Sequence, residues 1–332
     1  MVALKASLVK AALGEEDADL LLRGVKLVDV ATGEVYIDGH VHVESSHMTV
    51  AGFAEAVLPR GTTAAVFDPH EVANVAGLEG VLCLIDESAR LPFRAFFMAP
   101  SCVPSAPGLE TSGAELGVDE VARLLRRRRV LGLAEVMDYP GVLRCDARVM
   151  SKVERALRMG RLVDGHCPGL KGRALDAYMA LGARSDHEAL DAEEALYKLR
   201  RGLWVMIREG SASRMVDKVI PEAVRRGVDL RRAMIVSDDV DPRYLVHGHL
   251  DRALRKAIRL GLSPIEAYRL VTLNPSTYFR LDLEVGLIAP GWRADMVLLR
   301  SLEDVEVDRV MVGGRFVASG GSMLRPIPPT SR

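Results

Sequence analysis

The sequence predicts an α/β protein, a (β/α)8 TIM-like barrel with a small β domain formed by the N- and C-terminal segments. Three observations support this fold class. Short apolar runs alternate with helical patterns through most of the 332 residues, and about eight such runs occur. Most of the histidines stand where these runs end, which is the end of a parallel barrel that carries functional groups. After Gly286 the pattern changes to short strands separated by glycines.

We expect three segments along the chain. Residues 1–36 supply an N-terminal helix over Met1–Glu15 and a strand hairpin over Ala18–Val30, where apolar and polar residues alternate. Residues 37–285 form the barrel, and residues 286–332 complete the small β domain. The strands predicted in this last segment are Met296–Leu299, Val307–Val312 and Arg315–Val317. We expect them to pair with the N-terminal hairpin.

The barrel elements follow from the spacing of apolar residues. The first strand is predicted around Ile37, Val41 and Val43, because β-branched residues favour extended backbone. Further strands are predicted at Thr62–Phe67, Arg94–Met98, Val130–Ala134, Arg161–Asp164, Ala183–Ser185, Leu203–Ile207 and Ala233–Val236. Helices are predicted at Phe53–Leu58, Val75–Ser88, Val118–Leu125, Ser151–Met159, Leu175–Leu181, Ala192–Arg200 and Met215–Arg226. Strands that alternate with helices in this way lie parallel to one another.

Composition argues against several classes of function. The formal net charge is −1, so no global charge favours nucleic acid or an anionic membrane as a partner. No apolar run reaches the ~20 residues of a membrane span, and the N-terminus lacks the apolar centre of a signal peptide. The four cysteines show no metal-binding or disulfide spacing, so we expect reduced thiols and a cytoplasmic protein. The sequence leaves assembly into a homo-oligomer open.

Two histidines on the first predicted strand indicate a metal site. Side chains two apart on a strand share a face, so His40 and His42 direct two imidazoles to the same place. Neutral imidazole is a common ligand of zinc, iron and related divalent ions. Taken alone, the pair is equally consistent with two exposed or hydrogen-bonded histidines. The residues that end the other predicted strands favour the metal site.

Acidic residues, histidines and one arginine end most of the other strands. In chain order they are Asp68, His70, Glu71, Glu135, His166, Asp186, His187, Glu188, Arg208, Glu209, Asp238 and Asp239. Because the carboxyl ends of parallel barrel strands meet at one face, we expect these side chains to converge. Scattered structural histidines would not show this placement.

Part of this set has the composition of a site for two divalent ions. Glu135 can give one carboxylate oxygen to each ion. The first ion would be held by His40, His42 and Asp238, and the second by His166 and His187. Two Lewis acids acting on one water lower its pKa and produce hydroxide near neutral pH. Ligands without thiolate favour manganese or iron, and zinc is also compatible.

Longer strings resemble a known family. The order of the ligands resembles the amidohydrolase superfamily of metal-dependent hydrolases. The strings that resemble its adenine deaminase family are IDGHVHVESS from residue 37, DPHEVANV from 68, PSCVP from 100, GLAEVM from 132, DGH from 164, SDHE from 185, MIREGS from 206 and SDD from 237. The resemblance spans about residues 18–317. By the same resemblance we would expect several strands before the H-x-H strand and a further C-terminal domain, whereas here Tyr36 leads directly into Ile37.

The resemblance implies hydrolytic deamination of adenine to hypoxanthine and ammonia, with metal-activated hydroxide attacking C6. Asp238 is then both a metal ligand and a proton acceptor. The alternatives for the group that protonates the ring nitrogen or the leaving amine are Glu209, Glu188 and Asp239. The residues expected to bind or position the purine base are Asp239, Arg208, His70 and Glu71.

Other roles stay open for some of these residues, and for the chain. Glu188 and Asp239 are nearly as well suited to supporting neighbouring metal ligands. His70 and Glu71 could bind an extra metal ion instead of substrate. The protein could be another amidohydrolase that acts on a cyclic amide or an aminopurine, or a noncatalytic metal-binding barrel. Metal content separates the noncatalytic class from the enzymes.

Overall fold

The computed structural model describes residues 2–27 and 36–328, with side chains described from residue 6 onward in the first helix. That helix, α1, spans Val2–Leu13. Residues 14–27 contain no strand, and the rest of the predicted hairpin, residues 28–30, lies outside the described residues. The pairing of this segment with the C-terminal strands therefore stays a prediction.

A curled parallel sheet of six strands carries most of the predicted barrel. Its strands, numbered in chain order through the whole protein, are β1 (Tyr36–His42), β2 (Thr62–Phe67), β3 (Arg94–Ala99), β4 (Val130–Val136), β5 (Leu162–Gly165) and β9 (Asp238–Asp239). They lie in the order β5-β4-β3-β2-β1-β9. β9 pairs with the end of β1, with Val41 opposite Asp238 and His42 opposite Asp239. This pairing brings the two ends of the barrel sequence together.

A second parallel sheet has three strands, β6 (Ser185–Asp186), β7 (Trp204–Arg208) and β8 (Ala233–Val236). Between β5 and β6 the backbone N–H of Arg184 donates to the carbonyl of Val163 at 3.1 Å. Between β1 and the end of β8, the N–H of Ser237 donates to Asp38 Oδ1 at 3.1 Å. Within the described residues the ladders define sheets of six and three strands, and a full ring of eight strands is not shown. The short β6 is paired only with β7.

The helices alternate with the parallel strands as predicted. They are α2 (Val50–Val57), α3 (His70–Glu87), α4 (Val118–Leu125), α5 (Tyr139–Leu143), α6 (Ala147–Arg158), α7 (Gly172–Leu181), α8 (Ala192–Arg200), α9 (Val216–Arg226), α10 (Pro242–Leu245), α11 (Leu250–Arg259), α12 (Pro264–Arg269) and α13 (Leu273–Tyr278). None of the helices in the described ranges is both long and apolar enough to cross a membrane. The main difference from the prediction is α3, which begins at His70 rather than Val75 and is broken by a kink at Gly77, where φ is 59°. His70 and Glu71 occupy the first turn of the part before this kink.

Apolar side chains from both parallel sheets meet in one buried cluster. Ile37 and Val66 come from the six-stranded sheet, and Met206 and Met234 come from the three-stranded sheet. Gly39 lies between His40 and Asp38 on β1, where a Cβ atom would come within 2.6 Å of Met234 Sδ. The absence of a side chain there lets β1 approach the facing sheet while its histidines stay at the strand end.

The C-terminal segment forms a four-stranded antiparallel sheet. Its strands are β10 (Met296–Ser301), β11 (Glu306–Val312), β12 (Arg315–Ser319) and β13 (Ser322–Met323). Val312 and Ile327 belong to the same buried cluster as Leu58, so this sheet packs against the parallel α/β part. Arg94 at the start of β3 adds a bidentate ion pair to Asp295, with both nitrogen–oxygen distances at 2.9 Å.

The Arg94–Asp295 pair should contribute measurably to stability. Asp295 is buried and also accepts the N–H of Gly313 at 2.6 Å, so Arg94→Met leaves its charge poorly compensated. We expect the free energy of unfolding to fall by about 2–3 kcal/mol in urea titrations. The matched control is Arg300→Met, which breaks an exposed pair with Asp308 and should cost under about 1 kcal/mol. Equal losses in the two variants would contradict this assignment.

Candidate metal centre

The two histidines of β1 face the same buried space, with ring centroids 4.8 Å apart. His42 Nδ1 lies 2.9 Å from the carbonyl oxygen of Asp68, which orients its Nε2 toward Asp238 Oδ1 at 3.2 Å. His40 Nε2 lies 3.6 Å from the same Asp238 oxygen. This nitrogen is buried and has no hydrogen-bond partner in the described part of the chain. A buried nitrogen left in this state suits a metal ligand.

Glu135 at the end of β4 is the second focus of the cluster. Its carboxylate is buried and lies 3.1 Å from His187 Nε2, and its Oε2 contacts His166 Nδ1. The other oxygen, Oε1, lies 3.6 Å from His42 Nε2. One carboxylate therefore lies between the β1 histidines and the pair that follows β5 and β6.

The structure brings all six sequence-predicted metal ligands together. One group contains His40, His42 and Asp238, and another contains His40, Glu135 and His187. Within each group the candidate ligand atoms lie within 4.8 Å of one another. His166 joins His187 and Glu188 in a further group of the same kind. Donors that are only nitrogen and carboxylate oxygen, together with the unpartnered His40 nitrogen, fit a divalent transition-metal site.

The conformation of Asp238 places its carboxylate in this cluster. β8 ends at Val236, and the backbone turns at Asp238, which has a left-handed φ of 58°. This conformation is uncommon for a residue with a side chain, although aspartate tolerates it better than most residues. Both aspartates pair with β1, but Asp238 is buried and faces the histidines, whereas Asp239 is partly exposed.

Mutual charges control the protonation of the cluster. Burial alone would raise the pKa of Glu135, but the charges and hydrogen bonds of His187 and its neighbours hold that pKa well below its usual range. Burial also opposes ionisation of Asp238, yet the hydrogen bond with His42 and the charge of His187 lower its pKa strongly. Burial lowers the pKa of His187, but the charge and hydrogen bond of Glu135 outweigh burial and raise that pKa to about 9. Burial and the charge of His187 lower the pKa of His40.

Arg208 connects two of the predicted catalytic carboxylates. Its Nη1 contacts Glu188 Oε1 and lies 3.1 Å from Asp238 Oδ2. Glu188 Oε1 is also 3.7 Å from His187 Nε2. Glu209 is placed elsewhere, because both of its oxygens accept hydrogen bonds from Lys256 Nζ, at 3.0 and 3.1 Å. The structure therefore brings Arg208 and Glu188 to the cluster and pairs Glu209 with helix α11.

His70 and Glu71 border the cluster from the first turn of α3. His70 Nδ1 lies 3.4 Å from Asp68 Oδ1 and 3.4 Å from Glu135 Oε1. Burial opposes its charge, but the hydrogen bond and charge of Asp68 raise the pKa of His70 to about 9. Glu71 Oε2 lies 3.4 Å from His42 Nδ1. Both residues lie beside the expected ligands, and His70 also forms a group of possible ligands with His42 and Asp68. Substrate positioning and binding of an extra metal ion therefore both stay predictions for this pair.

Sequence reasoning missed two contributors to this region. Asp68 was noted at a strand end but given no role, although it is buried and pairs with His70. The sequence predicts no role for Glu44, although burial and the neighbouring Glu71 raise the pKa of its carboxyl to about 7. Their positions in the strings DPHEVANV and IDGHVHVESS were the available signals.

The fold and the site define a class, that of parallel α/β proteins with clusters of residues that could hold metal ions at the carboxyl ends of their strands. Within that class the chain belongs to the amidohydrolase family, whose model matches residues 36–317. This confirms the superfamily to which the sequence strings pointed.

The chain is also similar to curated proteins named adenine deaminase. The chain is 45% identical over 283 residues to an adenine deaminase of Methanococcoides burtonii, covering 85% of this chain and 48% of that protein. It is 44% identical over 359 residues to an adenine deaminase of Deinococcus deserti, covering 96% of this chain and 63% of the relative. The chain thus spans about half to three fifths of the length of these relatives.

Solved structures show the same fold at low sequence identity. A beta-aspartyl dipeptidase from Fervidobacterium islandicum AW-1 matches with a TM-score of 0.62 at 18% identity, covering 88% of this chain and 85% of that one. A dihydroorotase matches with a TM-score of 0.58 at 17% identity, covering 86% of each chain. These likenesses support the fold alone.

Glu135→Gln tests the centre of the cluster. The change keeps the side-chain shape and removes the charge, so both ions that Glu135 would share should bind more weakly. We expect about two manganese ions per wild-type chain and less than about one in the variant, measured by metal analysis after desalting. Glu154→Gln, which alters an exposed pair with Arg158, is the control and should keep the wild-type content. Full occupancy in Glu135→Gln would rule out the bridging role.

Proposed function

We propose that this chain catalyses the hydrolytic deamination of adenine to hypoxanthine and ammonia. The observation that carries the proposal is the buried Glu135 carboxylate, which lies between two sets of histidines in an amidohydrolase chain. Relatives named adenine deaminase match 85–97% of the chain at 38–45% identity, which supports adenine as the substrate. The ligand class would be a free purine base.

The proposed cofactor is a pair of divalent ions, manganese or iron, with zinc also compatible. His40, His42 and Asp238 would hold one ion, and His166 and His187 the other, with Glu135 shared between them. When bound, such ions act as Lewis acids and lower the pKa of water. The contacts of Glu135 with His42 of one set and His187 of the other support a carboxylate shared by the two sets.

The protein side chains would manage the protons of the reaction. Deamination adds a water oxygen to C6, moves a proton to a ring nitrogen and releases the amine as ammonia. Asp238 is buried among the histidines, so its carboxylate is placed to accept a proton from the attacking water. Arg208 would restrain Asp238 and Glu188 at the same time through its two contacts.

Glu188 and Asp239 are better placed than Glu209 to return protons to the substrate. Glu188 lies beside His187 and contacts Arg208 Nη1, whereas Glu209 would have to leave Lys256 to reach the cluster. Asp239 is partly exposed next to Asp238 and so could face an entering base. His70 and Glu71 would position the base from the side of α3.

We also propose that the two parallel sheets are parts of one (β/α)8 barrel over residues 37–285. The bonds from Arg184 to Val163 and from Ser237 to Asp38 support closure at the two sheet edges. The small β domain would combine residues 286–332 with part of residues 1–36.

Free adenine should be the preferred substrate. Ammonia release from the manganese-loaded protein should be faster with adenine than with adenosine, guanine or cytosine. Hydrolysis of dihydroorotate opens its ring without releasing ammonia, so its turnover is followed separately by chromatography of the ring-opened product. The comparison is made as kcat/KM at equal metal content, and metal-stripped protein is the blank. Better turnover of adenosine would refute the adenine assignment, and turnover of dihydroorotate alone would favour a cyclic amidase.

The two adjacent aspartates should differ sharply. Asp238→Asn removes a charged ligand and the proton acceptor, so kcat should collapse and metal content should fall. Asp239→Asn keeps the shape and a hydrogen-bonding group, so metal content should stay near wild type while kcat/KM falls by ~10²–10⁴-fold. Metal analysis and steady-state kinetics on the same preparations measure both effects.

The control for this pair is Asp241→Asn. Asp241 caps α10 by accepting the N–H of Arg243 at 2.9 Å, and asparagine caps a helix about as well. It should behave as wild type. Loss of metal in Asp239→Asn with retention in Asp238→Asn would reverse the two roles.

A further inference from the structure

A lysine is fully buried behind two of the candidate metal ligands. Lys198 on α8 has no exposed surface, and its Nζ donates to Asp186 Oδ2 at 3.0 Å and Glu194 Oε1 at 2.6 Å. Its third bond goes to the backbone carbonyl of Cys167 at 2.6 Å. All three ammonium donors therefore have acceptors, and the charge is compensated by two carboxylates.

These contacts lie one residue away from His166 and His187. Cys167 follows His166, and Asp186 precedes His187. Asp186 Oδ1 also accepts the N–H of Cys167 at 2.8 Å, so the two chain segments are bonded to each other as well as to Lys198.

Glu194 also accepts hydrogen bonds from the loops that follow the two histidines. Its Oε1 accepts the N–H of Gly169 at 2.7 Å, and its Oε2 accepts the N–H of Leu190 at 3.3 Å. One helix thus holds both the loop after β5 and the loop after β6 through buried polar contacts.

The sheet supplies only part of this restraint. β6 has two residues and pairs with β7, while β5 pairs with β4. Between β5 and β6 the described residues provide one backbone–backbone bond, from Arg184 to Val163, and the Ser185 hydroxyl accepts the N–H of Gly165 at 3.1 Å and donates to Asp164 Oδ1 at 3.0 Å. Burying one cation and two carboxylates is costly, and an apolar core at this place would stabilise the fold as well or better. The polar cluster makes sense where a particular spacing of two backbones is required.

We propose that Lys198, with Asp186 and Glu194, is a positioning group that sets the spacing of His166 and His187 and thereby the affinity of the second metal ion. This inference rests on the two-ion site proposed above. It assigns no contact between Lys198 and substrate or metal.

The test measures the stepwise binding of Mn²⁺ to the metal-stripped protein by calorimetry, in the absence of substrate. Wild type should bind two ions. Lys198→Met should weaken one binding step by roughly 10–100-fold, the usual cost of removing a residue that orients metal ligands, and leave the other step unchanged. Glu194→Gln keeps the Lys198–Asp186 pair and should weaken the same step less, which gives a milder variant if Lys198→Met folds poorly.

Two controls separate positioning from general loss of stability. Arg94→Met breaks a partly buried ion pair away from the cluster and should leave both binding steps unchanged. His187→Asn should abolish the second step, and adding Lys198→Met to it should not change the remaining step.

The outcomes are distinguishable. A wild type that binds fewer than two ions overturns the two-ion site and this inference with it. A wild type that binds two ions, with both steps unchanged in Lys198→Met or in Glu194→Gln, overturns the positioning role alone. Equal weakening of both steps also overturns it, because a structural defect would have that effect.

Discussion

The burial of the Glu135 carboxylate is the constraint on which the site depends. A lone carboxylate away from water is strongly disfavoured, so it has to be surrounded by groups that carry or can accept positive charge. The imidazoles within 4 Å of it belong to His42, His70, His166 and His187. These side chains come from four elements that are distant in sequence, and only the convergence of parallel strand ends brings them to one point.

Two cations near this centre each contact two carboxylates. Arg208 balances Glu188 and Asp238 on one side, and Lys198 balances Asp186 and Glu194 behind the histidines. Arg208 joins residues 20 and 30 positions away in sequence, whereas Lys198 joins Glu194 of its own helix to Asp186, 12 positions earlier. The protein uses buried ion pairs where the ladders are weakest, near the two-residue strand β6. In the positioning role that we propose, such pairs fix the placement of the candidate ligands rather than add stability.

Much of this arrangement was readable from the sequence because it depends on short-range periodicity. The two-residue repeat of β1 puts His40 and His42 on one face, and the strand ends identify Glu135, His166 and His187. The positions of the strands could be predicted because short apolar runs alternate with helical patterns along the chain. The start of α3 was misplaced by five residues because its first turn is polar and faces the site, so it lacks the apolar period of a packed helix.

Other features depend on contacts between distant segments and could not be read locally. The left-handed turn at Asp238 is set by the pairing of β9 with β1, far earlier in the chain. Lys198 belongs to an ordinary amphipathic helix pattern, and nothing in that pattern shows that its ammonium group is buried. Closure of the predicted ring of strands, which the described ladders do not show, would likewise depend on all the pairings together.

The placement of Glu209 follows from a rule that the sequence did offer. Neighbouring residues at the end of a strand point to opposite faces, so Arg208 and Glu209 cannot both enter the site. Arg208 reaches Asp238 on the inner face, and Glu209 accordingly meets Lys256 of α11 on the outer face. The pleat therefore divides the string MIREGS into one residue for the cluster and one for the helix layer. In the reaction that we propose, this reasoning favours Glu188, which contacts Arg208, over Glu209 as the group that exchanges protons with the base.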